Sequence, residues 1–241
     1  MKCIEASQMD YRVLNEQIRE ADEPCRITGC LGQRFIGAGL KEGEITLADG
    51  VPGNALGAYL NGASIFVEGN AQDAVGDTMN DGSIVICGNV GDTAGYAMRG
   101  GTIYVKGNAG YRAGIHMKAY RDKVPVMVIG GCAGSFLGEY QAGGVLVVLG
   151  LGDPESPIVG DFPCTGMHGG KLILRAECGS VRFPDQVTAR QATEEDREEI
   201  RRYVSGFAKA FHMKEQEILD SPYTVVTPDS RNPYKRLYVA N

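Results

Sequence analysis

The chain of 241 residues contains no tryptophan, only three histidines and no long apolar segment. Spanning a bilayer takes roughly 20 consecutive apolar residues, and no stretch approaches that length. The first residues also lack the apolar core of a signal peptide. A formal net charge of −6 disfavours broad electrostatic contact with nucleic acid. From these absences we expect a protein that is neither embedded in a membrane nor bound to nucleic acid.

Cysteine is present but shows no pairing pattern. The seven cysteines are scattered along the chain, and no two form a C-x-x-C pair. Their odd number and wide spacing predict neither a disulfide framework nor a zinc ribbon. Reduced thiols in a cytoplasmic protein are the expected state. Cys132, within GGCAGSF, is expected to fill a corner as a small side chain.

Motifs for nucleotide binding and nucleophilic catalysis are missing too. Neither G-x-x-x-x-G-K-[ST] nor a strand-to-helix G-x-G-x-x-G occurs, so the glycines do not predict a phosphate-binding loop. No Ser-His-Asp or Cys-His arrangement emerges either. The residues alone therefore predict a scaffold rather than a catalyst.

Glycine is what the chain has in excess, with 34 residues concentrated between Gly29 and Gly179. They recur as G-x-x-G-x-x-x-G, and the last glycines of the first four units are each 19 residues apart. Five or more units of this length indicate a solenoid in which each coil is buried against its neighbours. The predicted structural coil glycines are Gly50, Gly53, Gly57, Gly69, Gly76, Gly88, Gly91, Gly95, Gly107, Gly110, Gly114, Gly131, Gly134 and Gly138.

The segments between the glycines read as short strands. ASIFVEG, GSIVICG and GTIYVKG alternate apolar with other side chains and are rich in β-branched residues. Asn70, Asn89 and Asn108 recur in register, so we expect a ladder in which each side-chain amide bonds the one above. The predicted fold class is all-β: a single-stranded right-handed parallel β-helix with coils of about 19 residues and short flanking α-helices. No hexapeptide period supports the left-handed kind.

The flanks differ from the repeat. We expect an N-terminal helical segment at 1–24 with Asp10 as N-cap, the β-helix domain at 25–188, and amphipathic helices with an extended tail at 189–241. Thr193 and the acidic turn after it start the longer C-terminal helix, and a second short helix runs through EQEILD. These helices are expected to cap the solenoid ends or to dock partners.

One pair of carboxylates fits a catalytic arrangement. Asp73 and Asp92 stand one coil apart, hence about 5 Å apart if the strands stack as in a sheet. That separation suits a glycosidase, but the next residue of the column is Tyr111 and no basic residue joins the pair. A solvated or turn-capping pair is the favoured interpretation, and an autonomous glycosidase remains an alternative.

The most polar part of the regular coils is a second candidate. It can bind an anion or a partner, or it can be a solvated face. His116 and His168 are predicted at the same place after the coil glycine, with Tyr140 between them. Zinc sites normally need three or four close protein ligands, so corner hydrogen bonding is favoured over metal binding. The candidate contact residues are Arg99, Arg112, His116, Lys118, Glu139 and His168.

The repeats resemble a known family. GNVGDTAGYAMRGGTIYVKGNAGYRAGIHMK, GEYQAGGVLVVLG and TGMHGGKLILR are similar to the GXGXG domain that ends the large (alpha) subunit of glutamate synthase, and RNPYKRLY is similar to the ending of free-standing archaeal-type versions. The resemblance runs from about Gly29 to Arg175 and matches the coil glycines. It implies a right-handed β-helix without an active site, serving as a subunit of an oxidoreductase.

The resemblance also implies partners. A chain of this kind bridges a glutamine amidotransferase and a glutamate synthase chain, with FMN and the iron–sulfur cluster on the partner chains and neither cofactor nor metal on this one. Either a homo-oligomer or a hetero-complex is expected rather than a lone monomer, because solenoids with open ends often associate. The alternative resemblance is to the β-helix subunit of a tungsten or molybdenum formylmethanofuran dehydrogenase.

Overall fold

The structure, a computed structural model that describes residues 1–232, is a β-solenoid accompanied by three helices. The main sheet contains β1 (Lys2–Glu5), β2 (Cys25–Thr28), β4 (Glu44–Leu47), β6 (Asn61–Val67), β7 (Asp81–Ile86), β8 (Thr102–Val105), β9 (Val126–Ile129), β10 (Ala142–Val148), β11 (Gly169–Leu174), β13 (Thr224–Pro228) and β12 (Val187–Gln191), in that spatial order. Strands β3 (Cys30–Leu31) and β5 (Gly50–Val51) form a separate pair. From β1 to β11 all neighbours are parallel, and the predicted β-solenoid is confirmed.

Apolar side chains from successive strands stack inside the solenoid. Ile65, Ile84 and Ile103 are register partners on three consecutive coils. Met127 and Leu146 continue the column, and all five side chains are buried. Each coil contributes only a few apolar residues, so its core exists only where another coil lies against it.

Coil length is constant in the centre and increases where loops are inserted. The hydrogen-bonded neighbours Asn89 and Asn108 are 19 residues apart, whereas Asn108 and Cys132 are 24 apart. The extra residues include a small antiparallel bridge between Tyr120 and Lys123. The insertion lengthens one side of the coil while the strands that follow keep their parallel register.

The last glycine of each repeat has a left-handed backbone and faces the core. Gly95 and Gly114 have φ of 71° and 69°. A Cβ on Gly114 would stand 2.6 Å from Leu146 Cδ2, and one on Gly95 would stand 2.5 Å from Met127 Cε. The glycine therefore leaves room for the strand side chain of the next coil. The same left-handed backbone recurs at Gly57, Gly76 and Gly138.

The other predicted glycines lie close against the preceding coil. A Cβ on Gly88 would overlap Asn70 Oδ1, and one on Gly91 would overlap Asp73 Oδ1. Gly69 has room for a side chain, since the atom nearest to a Cβ there would be a carbonyl oxygen at 3.6 Å. A Cβ would likewise overlap side-chain oxygens of the preceding coil at Gly107, Gly110 and Gly131. It would overlap backbone atoms of the preceding coil at Gly50, Gly53 and Gly134.

The asparagine ladder exists, but its bonds differ from the prediction. Asn70 Oδ1 accepts the backbone N–H of Asn89 at 2.7 Å, and Asn89 Oδ1 accepts that of Asn108 at 2.7 Å. Asn108 Oδ1 then accepts the N–H of Cys132 at 2.8 Å. The expected amide-to-amide bonding is therefore wrong. The side chain satisfies a backbone donor at a corner that regular strand pairing does not reach.

The N-terminal segment closes the first coil. Helix α1 (Tyr11–Arg19) begins at Asp10, whose carboxylate accepts the N–H of Arg12, as expected of an N-cap. Leu14 and Ile18 are buried against the end of the solenoid core. Strand β1 pairs with β2 and was not predicted. Thus α1 caps this end of the solenoid.

The C-terminal segment covers a side of the solenoid as well as its end. Helix α2 (Glu194–Ala210) starts with a capping box between Thr193 and Asp196, and the short α3 (Glu215–Leu219) follows. Phe207 and Val204 of α2 belong to a second buried cluster with Val147 and other outward-facing strand residues. Capping is therefore not the role of α2, which packs laterally. The antiparallel β13 and β12 extend the sheet beyond β11 instead.

The polar side chain of Gln141 lies inside the core. Gln141 is fully buried in the column that contains Met117 and Met167. Its Nε2 donates to the carbonyl oxygens of Gly143 and Gly144 at 3.2 and 3.1 Å, and its Oε1 has no hydrogen-bond partner within residues 1–232. These carbonyls belong to the register shift at the start of β10, so Gln141 stabilises an irregular strand.

The extended tail predicted from RNPYKRLY lies outside the described residues from 233 onward. Among the helices of the described part, none combines the length and apolar character required to cross a membrane.

Candidate functional site

One corner of the solenoid carries large side chains on a left-handed backbone. Each coil has alternating left-handed positions on both sides of the core-facing glycine. The earlier coils fill many of these positions with small residues such as Ala74 and Ala97. Arg112 and His116 take the same positions one coil after Thr93 and Ala97, with φ of 59° and 56°. The large left-handed residues of the later coils are Arg112, His116, Phe136, Tyr140 and Phe162.

Aromatic rings form two ladders at this corner. In the first, Phe136 lies between Tyr111 and Phe162, with ring centroids 5.3 and 5.2 Å apart. In the second, His116 stacks on Tyr140 at 5.4 Å with an interplanar angle of 11°. These separations match the distance between coils, so each ring covers the next. Sequence analysis missed both ladders, although the coil-to-coil spacing carried the signal.

A partly buried ion pair lies beside the first ladder. Arg112 Nε and Glu139 Oε2 are 2.8 Å apart, and both atoms are buried. Neither atom has a correctly aligned hydrogen-bond partner within the described residues, so charge holds the pair together. The guanidinium also lies over the Tyr111 and Phe136 rings, 4.8 and 5.4 Å from their centroids. The structure therefore brings two of the predicted contact residues into direct contact.

Three of the other predicted contact residues, Arg99, Lys118 and His168, form a separate basic column. The N–H of Arg99 bonds to Met79 O and that of Lys118 to Met98 O, so the two cations occupy equivalent positions on adjacent coils. His168 reaches the same position two coils further on, where its N–H bonds to Gln141 O.

The prediction that His116 and His168 occupy equivalent positions is wrong. His116 has a left-handed backbone and stacks on Tyr140, whereas His168 lies two residues beyond the corresponding left-handed residue, Gly166. His168 Nδ1 is 2.9 Å from Gly166 O, and this contact keeps a proton on Nδ1. The histidines belong to neighbouring columns of the same corner.

The hairpin inserted after Lys118 extends this corner. Tyr120 is half exposed, and the guanidinium of Arg121 lies 5.2 Å from the centroid of its ring. Lys123 Nζ donates to Asp81 Oδ2 at 2.7 Å, and this bond lowers the pKa of the Asp81 carboxyl. The hairpin is thus tied to the coil two turns earlier.

The carboxylate pair has a structural task. Asp73 Oδ1 accepts the N–H of Asp92, and Asp92 Oδ1 accepts the N–H of Tyr111, each at 2.8 Å. The two acids form a ladder parallel to the asparagines, which agrees with the turn-capping interpretation.

Cys164 and Cys132 show no sign of activation. Cys164 occupies the core-facing glycine column, is fully buried, and has its thiol pKa raised to about 12 by burial. Burial also raises the pKa of Cys132, which ends the asparagine ladder at a corner, as predicted. A thiolate nucleophile requires the opposite shift. Within residues 1–232 no three or more His, Cys, Asp or Glu side chains are arranged to hold a metal ion.

Comparison with known proteins matches this architecture to a family. Residues 4–228 match the GXGXG motif family, which is almost the entire chain. The chain is also 45% identical over 248 aligned residues to the uncharacterized protein MJ1350 of Methanocaldococcus jannaschii, covering 98% of this chain and 95% of that protein. The coil glycines, the stacked strands and the two comparisons agree: the chain belongs to the GXGXG motif family.

Proposed function

We propose that this chain is a non-catalytic β-solenoid subunit of a multi-chain glutamate synthase. It bridges a glutamine amidotransferase chain and a synthase chain that carries FMN and an iron–sulfur cluster. The observation that carries the proposal is the family match over residues 4–228, because a similar domain ends the large subunit of glutamate synthase. The bridging role rests on that resemblance.

The chemistry of the described side chains supports a structural role. The carboxylates best placed for acid–base work, Asp73 and Asp92, each bind a backbone N–H of the next coil. Within the described residues no group of potential ligands fits an iron–sulfur cluster. We therefore assign both cofactors to partner chains and no catalytic step to this one.

The seven cysteines are all free, which supports a reducing compartment, and we propose the cytoplasm. Within that compartment the solenoid offers the partners two kinds of surface, the corner described above and the coil faces left uncovered by α2.

The test is affinity purification of the tagged full-length chain from its native cells, with mass spectrometry and cofactor analysis of the complex. We expect an amidotransferase chain and a chain with flavin and iron–sulfur absorbance. The complex should form glutamate from glutamine and 2-oxoglutarate, and the isolated chain should not. Recovery of molybdopterin-containing chains instead would assign the chain to a formylmethanofuran dehydrogenase. Glycoside hydrolysis by the isolated chain, lost in Asp73→Asn and Asp92→Asn, would contradict the scaffold role.

A further inference from the structure

The basic column at the corner stands out in an acidic protein. The chain has a formal net charge of −6, yet Arg99 and Lys118 are exposed on adjacent coils without a carboxylate partner in the described part of the chain. Two like charges at the coil spacing repel one another and gain nothing from the fold. The column therefore costs stability unless an anion neutralises it.

Two carboxylates close to this column already have partners. Glu139 is paired with Arg112, and Asp81 accepts from Lys123. Asp122, next to Arg121 in the hairpin, is exposed. The positive charge of the column is thus not cancelled by ion pairs within residues 1–232.

Exposed aromatic rings border the column. Tyr96 packs edge-on against His116 at 5.9 Å, and His116 stacks on Tyr140. Tyr96 is 39% exposed and Tyr120 of the hairpin 51%. Aromatic residues and arginine are enriched in protein–protein interfaces, where they supply most of the binding energy. We use the name basic corner for Arg99, Lys118, His168, His116 and the neighbouring Tyr96, Tyr120 and Tyr140.

The length of the column indicates whether its ligand is an extended peptide or a small anion. Arg99 and His168 are three coil steps apart, or about 14 Å at the usual strand spacing. An extended peptide of four or five residues spans that distance, at about 3.3 Å per residue. A single phosphate or carboxylate reaches one or two of the cations, and Ala142 separates Lys118 from His168. Only an extended anion meets the whole column.

We infer that the basic corner binds an acidic segment of a partner protein, with carboxylates facing Arg99, Lys118 and His168 and apolar atoms against the tyrosine rings. This inference rests on the proposed function in one respect, that the chain works within a multi-chain assembly. It adds the surface used and the chemistry of the partner segment. The contact of His168 Nδ1 with Gly166 O at 2.9 Å leaves Nε2 to face the acidic segment.

The first experiment measures binding by the full-length chain with a defined probe. Fluorescein-labelled deca-glutamate is titrated by fluorescence anisotropy, with deca-glutamine and inorganic phosphate as comparisons. The test variant is Arg99→Glu/Lys118→Glu, and the matched control is Lys106→Glu/Lys209→Glu, two exposed lysines that lie directly after strand β8 and in the last turn of helix α2. Both variants change the formal net charge from −6 to −10, since each replaces two cations by two anions. Circular dichroism establishes that both are folded.

We expect deca-glutamate to bind and deca-glutamine not to bind. The corner variant should weaken deca-glutamate binding at least tenfold, and the control at most about threefold. Equal losses in the two variants would show a long-range charge effect and overturn the inference. Displacement of the peptide by phosphate at an equal concentration of charge would also overturn it, because it would indicate a small-anion site.

The second experiment identifies the segment in the native complex. A benzoylphenylalanine photocrosslinker replaces Tyr120 at the corner or, as a control, Tyr59, which is 58% exposed and lies three coils before His116. We expect Tyr120 to crosslink to a partner peptide rich in Asp and Glu, and the corner variant to lose that crosslink. A crosslinked peptide without acidic residues, or one retained in the corner variant, would overturn the inference.

The two proposals fail in different ways. If the acidic peptide comes from a chain that is neither an amidotransferase nor a synthase, the proposed function fails and the corner inference stands. If the expected chains assemble with the corner variant as well as with the original protein, the inference fails and the proposed function stands.

Discussion

Two glycines with the same backbone but different surroundings allow the stacking to be tested. Gly114 and Gly39 have φ of 69° and 68°. A Cβ on Gly114 would lie 2.6 and 2.7 Å from the two Cδ atoms of Leu146, whereas a Cβ on Gly39 would have nothing within 4 Å. Gly39→Ala therefore measures the cost of the left-handed backbone alone, and Gly114→Ala adds the overlap with the next coil.

The expected costs follow from these two effects. A left-handed alanine costs roughly 1–2 kcal/mol, and forcing a methyl group into a packed core costs about 1–3 kcal/mol more. Gly114→Ala should thus lower the free energy of unfolding by about 2–5 kcal/mol, and Gly39→Ala by about 1–2 kcal/mol. Gly95→Ala should fall between them, since its nearest atom is the terminal methyl of Met127, which can turn away.

Urea unfolding followed by far-ultraviolet circular dichroism measures these differences, since the chain has no tryptophan for fluorescence. Calorimetry gives a second reading, with about 2–4 °C in Tm per kcal/mol expected at this chain length. Equal destabilisation by Gly39→Ala and Gly114→Ala would refute the argument, because the overlap with Leu146 would then contribute nothing.

Three further changes test the polar groups that hold the coils. Asp92→Asn should keep stability within about 0.5 kcal/mol because its amide oxygen can still accept the Tyr111 N–H, while Asp92→Ala should lose about 1 kcal/mol in the same urea assay; equal losses would contradict the ladder. Hydrogen bonding to Arg190 holds the pKa of Asp196 well below its usual value. The ionised Asp196 carboxylate therefore contributes to the free energy of unfolding above about pH 4, and this contribution is lost as the pH falls further. Asp196→Asn should therefore cost about 1–3 kcal/mol at pH 7, and its gap to the original protein should narrow below pH 4; a gap independent of pH would exclude this cause. Gln141→Glu should cost more than about 3 kcal/mol, because it places a carboxylate against two carbonyl oxygens in the core, and a Tm within 3 °C of the original would contradict that placement.

The regular part of the fold was predictable because one coil repeats the next. A fixed step of 19 residues identifies the columns of strands and glycines without knowledge of their contacts. The direction of the asparagine bonds was not predictable in the same way. A ladder of identical side chains allows amide-to-amide bonding, whereas the structure uses Asn70 Oδ1 to satisfy the free backbone donor of Asn89. Backbone donors at a corner are invisible in a sequence pattern.

Insertions account for the misplaced histidine. After the 24-residue coil comes a 26-residue step between Ser135 and Asp161, so counting from the nearest glycine becomes unsafe. Cys164, not Gly166, occupies the core-facing glycine column at this end. A side chain is tolerated there because no further parallel coil follows β11, so no strand side chain needs the space. Counting from Gly166 shifted His168 by two residues into the wrong column.

The side chains at the corner are not what the coil itself requires. Left-handed positions filled by Ala74 and Ala97 allow the same coil geometry, so larger residues there add no necessary contact. Each large left-handed residue costs roughly 1–2 kcal/mol, and ring stacking returns about 0.5–1.5 kcal/mol per pair. Arg112 and His116 thus add little net stability, while they place the Arg112–Glu139 pair and the His116 ring beside the column of Lys118. A surface that adds little to the stability of the fold is better explained by what binds it than by the solenoid beneath it.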